Sequence, residues 1–199
     1  MFTGIVQETG TVYGKIPKAG YTVLRITSEK IYDKVSSGDS VCINGVCLTL
    51  TSKSRGTLEF GVVEHTLKNT NLKFLRNNDL VNLEPPLKAG DMISGHIVTG
   101  HVDRVLKIRR VIKGSKTSRF VLSLPEEFKM LVFPRASICL DGISLTVADL
   151  NKREFTVEII PFTLDNTNLR VKRTGDFLNV EFDYLLKGLQ SILGHKLNK

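Results

Sequence analysis

Cys47, His101, Ser144, Thr146 and Asp183 are the side chains in this sequence best suited to chemistry. A thiol, with an ordinary pKa of about 8.5, needs activation to attack at neutral pH, whereas an imidazole near about 6.5 exchanges protons there readily. Cys47 follows an Asn44-Gly45 turn and Ser144 follows an Asp141-Gly142 turn, so each lies just beyond a hairpin. His101 follows Gly100, whose missing side chain lets a ligand approach the backbone. His96 stands five residues earlier, a spacing that on a strand sends the two rings to opposite faces, and no Cys or carboxylate stands at ligand spacing nearby. A metal centre is not expected, and His96 reads as a hydrogen-bonded structural histidine. Cys42 and Cys139 read as small buried hydrophobes.

Other reactive signatures are weaker. Ser144, His101 and Asp183 could be assembled into a hydrolytic triad, but no Gly-x-Ser-x-Gly elbow surrounds Ser144. The sequence has no P-loop, no Gly-x-Gly-x-x-Gly and no Cys-x-x-Cys, which removes the usual marks of phosphoryl transfer and nicotinamide binding.

The elements that position these residues come in duplicate. Residues 40–50 (SVCINGVCLTL) align with 137–147 (SICLDGISLTV), 65–72 (HTLKNTNL) with 162–169 (FTLDNTNL), and 79–84 (DLVNLE) with 176–181 (DFLNVE), all at an offset of 97. Fourteen of these 25 positions are identical, which implies two tandem domains of one kind. TGIV at 3–6 likewise resembles TGHV at 99–102. Cys47 faces Ser144 in this register, Ile5 faces His101, and His65 faces Phe162. Divergence at matched positions suggests one pocket with two walls that supply different groups.

Each half reads as short β-branched strands bounded by Gly, Asn, Asp or Ser, with Asn-Gly and Asp-Gly as type I′ hairpin turns. Six such strands in about 90 residues predict a small closed barrel, because closure removes exposed edges. The expected architecture is mostly β, with two six-stranded antiparallel barrels at 1–90 and 91–184. A C-terminal helix over 185–199 carries Leu185, Leu186, Leu189, Ile192 and Leu193 at helical spacing. That stripe must be buried against the chain's own barrels or against other subunits.

The chain is 199 residues long with 41% hydrophobic residues, which suits a folded protein with a real core. Its net charge of +8 is scattered rather than interleaved with aromatics, so neither nucleic acid nor membrane is an expected partner. Three cysteines are too few for a disulfide framework, and the first residues lack the pattern of a signal peptide. A cytoplasmic location is expected.

Met-Phe-Thr-Gly-Ile-Val at the start, NGVCLT, GHIVTGH and DGISLTV, in order within the repeat, resemble the riboflavin synthase family of the trimeric alpha-chain type. The resemblance implies two barrels and a helix, and a reaction in which one 6,7-dimethyl-8-ribityllumazine gives a four-carbon unit to another, without cofactor or metal. It further implies a homotrimer whose site lies between barrels of different subunits, and association with lumazine synthase. One lumazine would be lined by Gly4, Ile5 and Val6, by Cys47, Leu48 and Thr49, by Gly61, Val62, Val63, Glu64, His65 and Thr66, and by Gly100, His101 and Val102. The other would be lined by Arg135, by Ser144, Leu145 and Thr146, and by Ile159, Ile160, Pro161, Phe162, Thr163 and Leu164. In the catalytic roles the resemblance suggests, His101 takes a proton from the acidic C7 methyl of one substrate, with Thr146 or Ser144 orienting it. Cys47 or a water adds to the other, and Asp183 assists positioning. Phe162 and Arg135 depart from the residues common in the family, which weakens the carry-over at the second position. A noncatalytic lumazine- or flavin-binding protein of the same fold is the alternative, and a flavin-reductase-like barrel is a more distant one.

Overall fold

The computed structural model describes residues 1–197, with side chains through residue 193. Its first barrel contains β1 (Glu8–Lys18), β2 (Tyr21–Thr27), β3 (Ser40–Ile43), β4 (Val46–Ser54), β5 (Thr57–Val63) and β6 (Leu80–Glu84), closed in the order β1-β2-β5-β4-β3-β6. The second contains β7 (Arg104–Lys113), β8 (Ser118–Ser123), β9 (Ser137–Leu140), β10 (Ile143–Leu150), β11 (Glu154–Ile159) and β12 (Phe177–Phe182). Read from β7, its closed order β7-β8-β11-β10-β9-β12 repeats that of the first. The two antiparallel six-stranded barrels expected from the repeat are present.

Alternation along the strands builds each core. Leu58, Phe60 and Val62 of β5 point inward onto Leu24, Ile26 and Leu50, and Phe155, Val157 and Ile159 of β11 do the same against Phe120, Leu122 and Val147. Closure of so small a sheet needs sharp bends, and β-bulges supply them at matched places: Val12/Gly14 with Ile108/Arg110, and Leu50/Ser52 with Val147/Asp149. The hairpin turns behave as their sequences require, with φ of 47° and 78° at Asn44-Gly45 and 46° and 79° at Asp141-Gly142.

These two turns meet where the barrels join. A Cβ at Gly45 would lie 2.8 Å from the Gly142 nitrogen, and one at Gly142 would lie 2.8 Å from the Gly45 nitrogen, so only glycine permits this approach. Around them lies a buried polar network made of Asn44, Asn71, Asn82, Asp141, Asn168 and Asn179. Asn71 Nδ2 donates to Asp141 Oδ1 (2.7 Å), Asn82 Nδ2 to the Asp141 carbonyl (2.8 Å), and Asn179 Nδ2 to the Asn44 carbonyl (2.7 Å), all between barrels. Buried polar groups paired in this way, with Asn44 Nδ2 the one network amide nitrogen left without a partner among the described residues, fix the relative placement of two units that apolar packing alone would let slide. Burial pushes the Asp141 carboxyl up, opposed by Lys172 and by its amide donors.

Helix α1 (Glu64–Asn69) follows β5, and α2 (Pro161–Asp165) follows β11. Helix α3 (Tyr184–Leu197) ends the described chain, and residues 198 and 199 of the expected helical segment lie outside the described residues. Asp183 Oδ1 accepts from the Leu185 and Leu186 backbone N–H groups, and Lys187 is tied to Asp103 at 2.9 Å. The leucine stripe divides: Leu186 packs on the second core, while Leu185, Leu189, Ile192 and Leu193 face outward.

Candidate active site

The segment before each barrel crosses to the other barrel. Phe2 and Val98 pair in an antiparallel bridge, from which the two segments run in opposite senses. The Gly4 carbonyl accepts the Ser144 N–H (2.8 Å), and the Gly100 carbonyl accepts the Cys47 N–H (2.9 Å). Val6 packs against the second core and Val102 against the first. A buried carboxylate anchors each crossing. Glu84 accepts from Thr3 N, Thr3 Oγ1 and Gly4 N, and Glu181 accepts from Thr99 N, Thr99 Oγ1 and Gly100 N. Both glycines have positive φ, and their contacts are very close: a Cβ would lie 2.7 Å from Ser144 Cβ at Gly4 and 2.5 Å from Cys47 Cβ at Gly100.

Two walls result. On the first, β4 presents Cys47, Leu48 and Thr49, the end of β5 and α1 present residues 61–66, and the crossing segment adds Gly100, His101 and Val102. On the second, β10 presents Ser144, Leu145 and Thr146, β11 and α2 present residues 159–164, and Gly4, Ile5 and Val6 join them. The resemblance grouped Gly4 to Val6 with Cys47, and the structure sets them beside Ser144. The Gly4 carbonyl is spent on Ser144, and Val6 is held by the second core.

Strand alternation separates side chains that can touch a ligand from those that cannot. Leu48, Val62 and Ile159 are buried in the barrel cores, so only their backbone is available. Thr49, Val63, Glu64, His65, His101, Thr146, Ile160, Pro161 and Phe162 are exposed, and Cys47, Thr66, Ser144, Leu145, Thr163 and Leu164 are partly so. Glu64 is engaged by Lys68 at 2.6 Å, and the His65 carbonyl accepts from Asn69 Nδ2. Phe162, where the first wall has His65, is 74% exposed. Burial drives the Cys42 and Cys139 thiols well up, as suits inert packing groups, whereas Cys47 is only half-buried.

Arg135 adopts φ +71° at the position where the first repeat has Gly38 at φ +97°. Both donate the same bond, Arg135 N to the Val147 carbonyl and Gly38 N to the Leu50 carbonyl. An arginine in a conformation that suits glycine carries strain, a pattern common at functional positions.

A sequence profile described as the lumazine-binding domain matches this chain twice, at residues 3–85 and 99–183. The riboflavin synthase of Actinobacillus pleuropneumoniae is 37% identical over 194 residues, covering 97% of this chain and 90% of that protein. That of Bacillus subtilis (strain 168) is 36% identical over 200 residues, covering 100% and 92%. The chain belongs to the riboflavin synthase family.

Solved structures of LumP show the same fold. The complex with riboflavin superposes at a TM-score of 0.86 with 22% identity, covering 92% of this chain and 99% of that one. The complex with 6,7-dimethyl-8-(1'-D-ribityl) lumazine gives 0.83 with 21% identity, at the same coverage. Among the described residues no group of three or more His, Cys, Asp or Glu side chains could hold a metal ion, and no helix is long and apolar enough to cross a membrane.

One residue of the second wall escaped the sequence reading. His96 Nδ1 lies 2.7 Å from Ser144 Oγ, so the histidine beside Ser144 is His96, while His101 adjoins Cys47 through Gly100. The triad that sequence alone could assemble from Ser144, His101 and Asp183 does not match this pairing. His96 was legible as hydrogen-bonded but not as a partner of Ser144, since its equivalent in the first repeat would precede Met1 and no internal comparison reaches it.

Proposed function

We propose that the chain catalyses the dismutation of two 6,7-dimethyl-8-ribityllumazine molecules. One donates a four-carbon unit to the other, giving riboflavin and 5-amino-6-(ribitylamino)uracil, which makes the enzyme a transferase. The observation that carries this reading is the pair of matched walls with unlike reactive groups, Cys47 with His101 on one and Ser144 with Thr146 on the other. Two identical substrates in related orientations call for such a scaffold, and their unequal fates call for its differences. Holding two planar reactants in register can itself contribute on the order of 7–11 kcal/mol.

In this reading each wall seats one lumazine and the walls face each other across a subunit boundary. The exposed apolar groups of the second wall, Ile160 and Phe162, and the outward leucines of α3 support a homotrimer. His101 then takes a proton from the C7 methyl of the lumazine seated on the partner subunit's Ser144 and Thr146. Cys47, or a water that it orients, adds to the lumazine on its own wall. Asp183 contributes by holding the start of α3 and by placing negative charge near His96. A cytoplasmic location accords with three free cysteines.

The test is to incubate the purified protein with the lumazine alone and to separate the products by chromatography. Riboflavin and the pyrimidine in equal amounts are expected. Tight binding without riboflavin would replace this reading with the noncatalytic binder, with Phe162 and Arg135 the first residues to examine.

A further inference from the structure

His96 is held more firmly than a surface histidine needs to be. Its N–H donates to the Thr3 carbonyl (3.1 Å), beside the Phe2–Val98 bridge. A Cβ on the preceding Gly95 would lie 2.1 Å from the Thr3 oxygen and 2.9 Å from Ser144 Cβ, so a glycine is required for the ring to come this close. Nδ1 lies 2.7 Å from Ser144 Oγ, and Nε2 is enclosed with no hydrogen-bond partner among the described residues.

The enclosed nitrogen limits what the ring can do. Nε2 has no exposed surface with which to touch a substrate, so the polar contact that the ring brings to the wall runs through Nδ1 to Ser144. Orphaned buried N–H groups are rarer than under-satisfied acceptors, which favours leaving Nε2 bare and placing the proton on Nδ1. Nδ1–H then donates to Ser144 Oγ, and the hydroxyl proton of Ser144 must point elsewhere. Burial also holds the imidazole below its ordinary range, against the opposing charges of Asp183 and Glu181, which keeps the ring neutral near pH 7.

We infer that His96 is a positioning residue of the second wall: by donating from Nδ1 to Ser144 it commits the serine hydroxyl as a hydrogen-bond donor to an acceptor atom on the bound heterocycle. The first wall has no such device among the described residues, because Cys47 there adjoins the exposed His101. The inference rests on the reading of the second wall as a lumazine seat. A carbonyl oxygen or an unprotonated ring nitrogen on the ligand edge fits the donor that Ser144 would present.

Two experiments test it. In the wild-type protein with 15N-labelled histidine, long-range 15N–1H spectra report the His96 tautomer, and a protonated Nδ1 with a bare Nε2 is expected. The reverse tautomer would overturn the inference, since Ser144 would then donate to the ring and accept from the ligand. In variants, asparagine can keep a donor near the Nδ1 position while glutamine and phenylalanine cannot. His96→Asn should therefore retain kcat and lumazine affinity within about threefold, whereas His96→Gln and His96→Phe should lose on the order of tenfold to a hundredfold, as displaced reacting groups do. Ser144→Ala combined with His96→Phe should lose no more than Ser144→Ala alone. Equal losses for His96→Asn and His96→Phe at an unchanged melting temperature, or additive losses in the double variant, would contradict the inference. If the wild type turned over no lumazine, the enzyme reading would fall, while the tautomer and the affinity of the variants for lumazine would still decide the role of His96.

Discussion

The first wall puts Cys47 beside a glycine whose neighbour is the exposed His101, whereas the second puts Ser144 beside a glycine whose neighbour is Ile5, with a half-buried His96 behind it. The backbone frame is the same on both: a hairpin turn, a crossing segment held by a carboxylate, and a carbonyl accepting from the reactive residue's N–H. The walls differ in their side chains and in the segment that carries Gly95 and His96, whose equivalent in the first repeat would precede Met1. The fold therefore supplies twofold geometry, and in the proposed reaction a few differences within it supply the asymmetry.

The comparison breaks most sharply at the first wall's reactive pair. His101→Ala, or Cys47→Ser, which makes this wall more like the other, should each slow turnover by on the order of ten- to ten-thousandfold, measured in steady state with lumazine alone. Full activity in both variants would remove these residues from the chemistry. Next is Gly100→Ala, which forces a side chain into φ +80° and against Cys47. A loss of about 2–4 kcal/mol in denaturant unfolding is expected, of the size that strain and overpacking bring. Gly4→Ala should behave alike, because its surroundings are alike.

A smaller effect separates the barrels by pH. Glu8 belongs to the first barrel alone, its counterpart at the same offset as the crossing segments being Arg104. Burial pushes the Glu8 carboxyl up, but the N–H groups of Glu29, Lys30 and Ile31 and the Ser28 hydroxyl outweigh it and hold the group below its ordinary value. A lowered carboxylate contributes stability that is present above its unfolded value of about 4.3 and is lost as pH falls through the lower folded value. Glu84, pushed up by burial against the donors of Thr3 and Gly4, works in the opposite sense and gains from acidification. Glu8→Gln should cost about 2 kcal/mol at neutral pH and flatten the acid limb of the stability curve. An unaltered acid limb would show that Glu8 does not matter to it.

The smallest effect comes from Arg135→Gly, which restores the residue of the first repeat at this positive φ. Relief of strain should stabilise the fold by about 0.5–1 kcal/mol while weakening lumazine binding. Unchanged affinity in a fluorescence titration would make the arginine's strained backbone unexplained by ligand binding.

The barrels were legible because their signals are local and occur twice. Asn44-Gly45 and Asp141-Gly142 announce their turns in two residues, and the offset of 97 carries the strand order from one half to the other. The crossing of Gly4 to Ser144 and of Gly100 to Cys47 was not legible, because it rests on backbone bonds spanning much of the chain between residues that could have folded back locally. Gly4 to Val6 were accordingly grouped with Cys47, whereas the fold sets them beside Ser144. The leucine stripe of α3 was visible, but not that Leu186 alone would turn to the barrel. The asparagine network was equally hidden, since Asn71 and Asn168 stand in the sequence only as matched positions of the repeat, and their partners Asn179 and Asn82 lie in the other barrel.

In the proposed enzyme two unlike walls on different chains together make one site, an arrangement that a mixed assembly can reveal. It is tested most directly by co-expressing His101→Ala and Ser144→Ala chains under separate tags, purifying the mixed assemblies and measuring riboflavin formed from lumazine. Each parent alone lacks a group on every site, but a mixed assembly contains sites in which an intact first wall meets an intact second one. The expected result is turnover well above the mean of the two parents. Turnover equal to that mean would contradict the claim and place both walls of each site within a single chain.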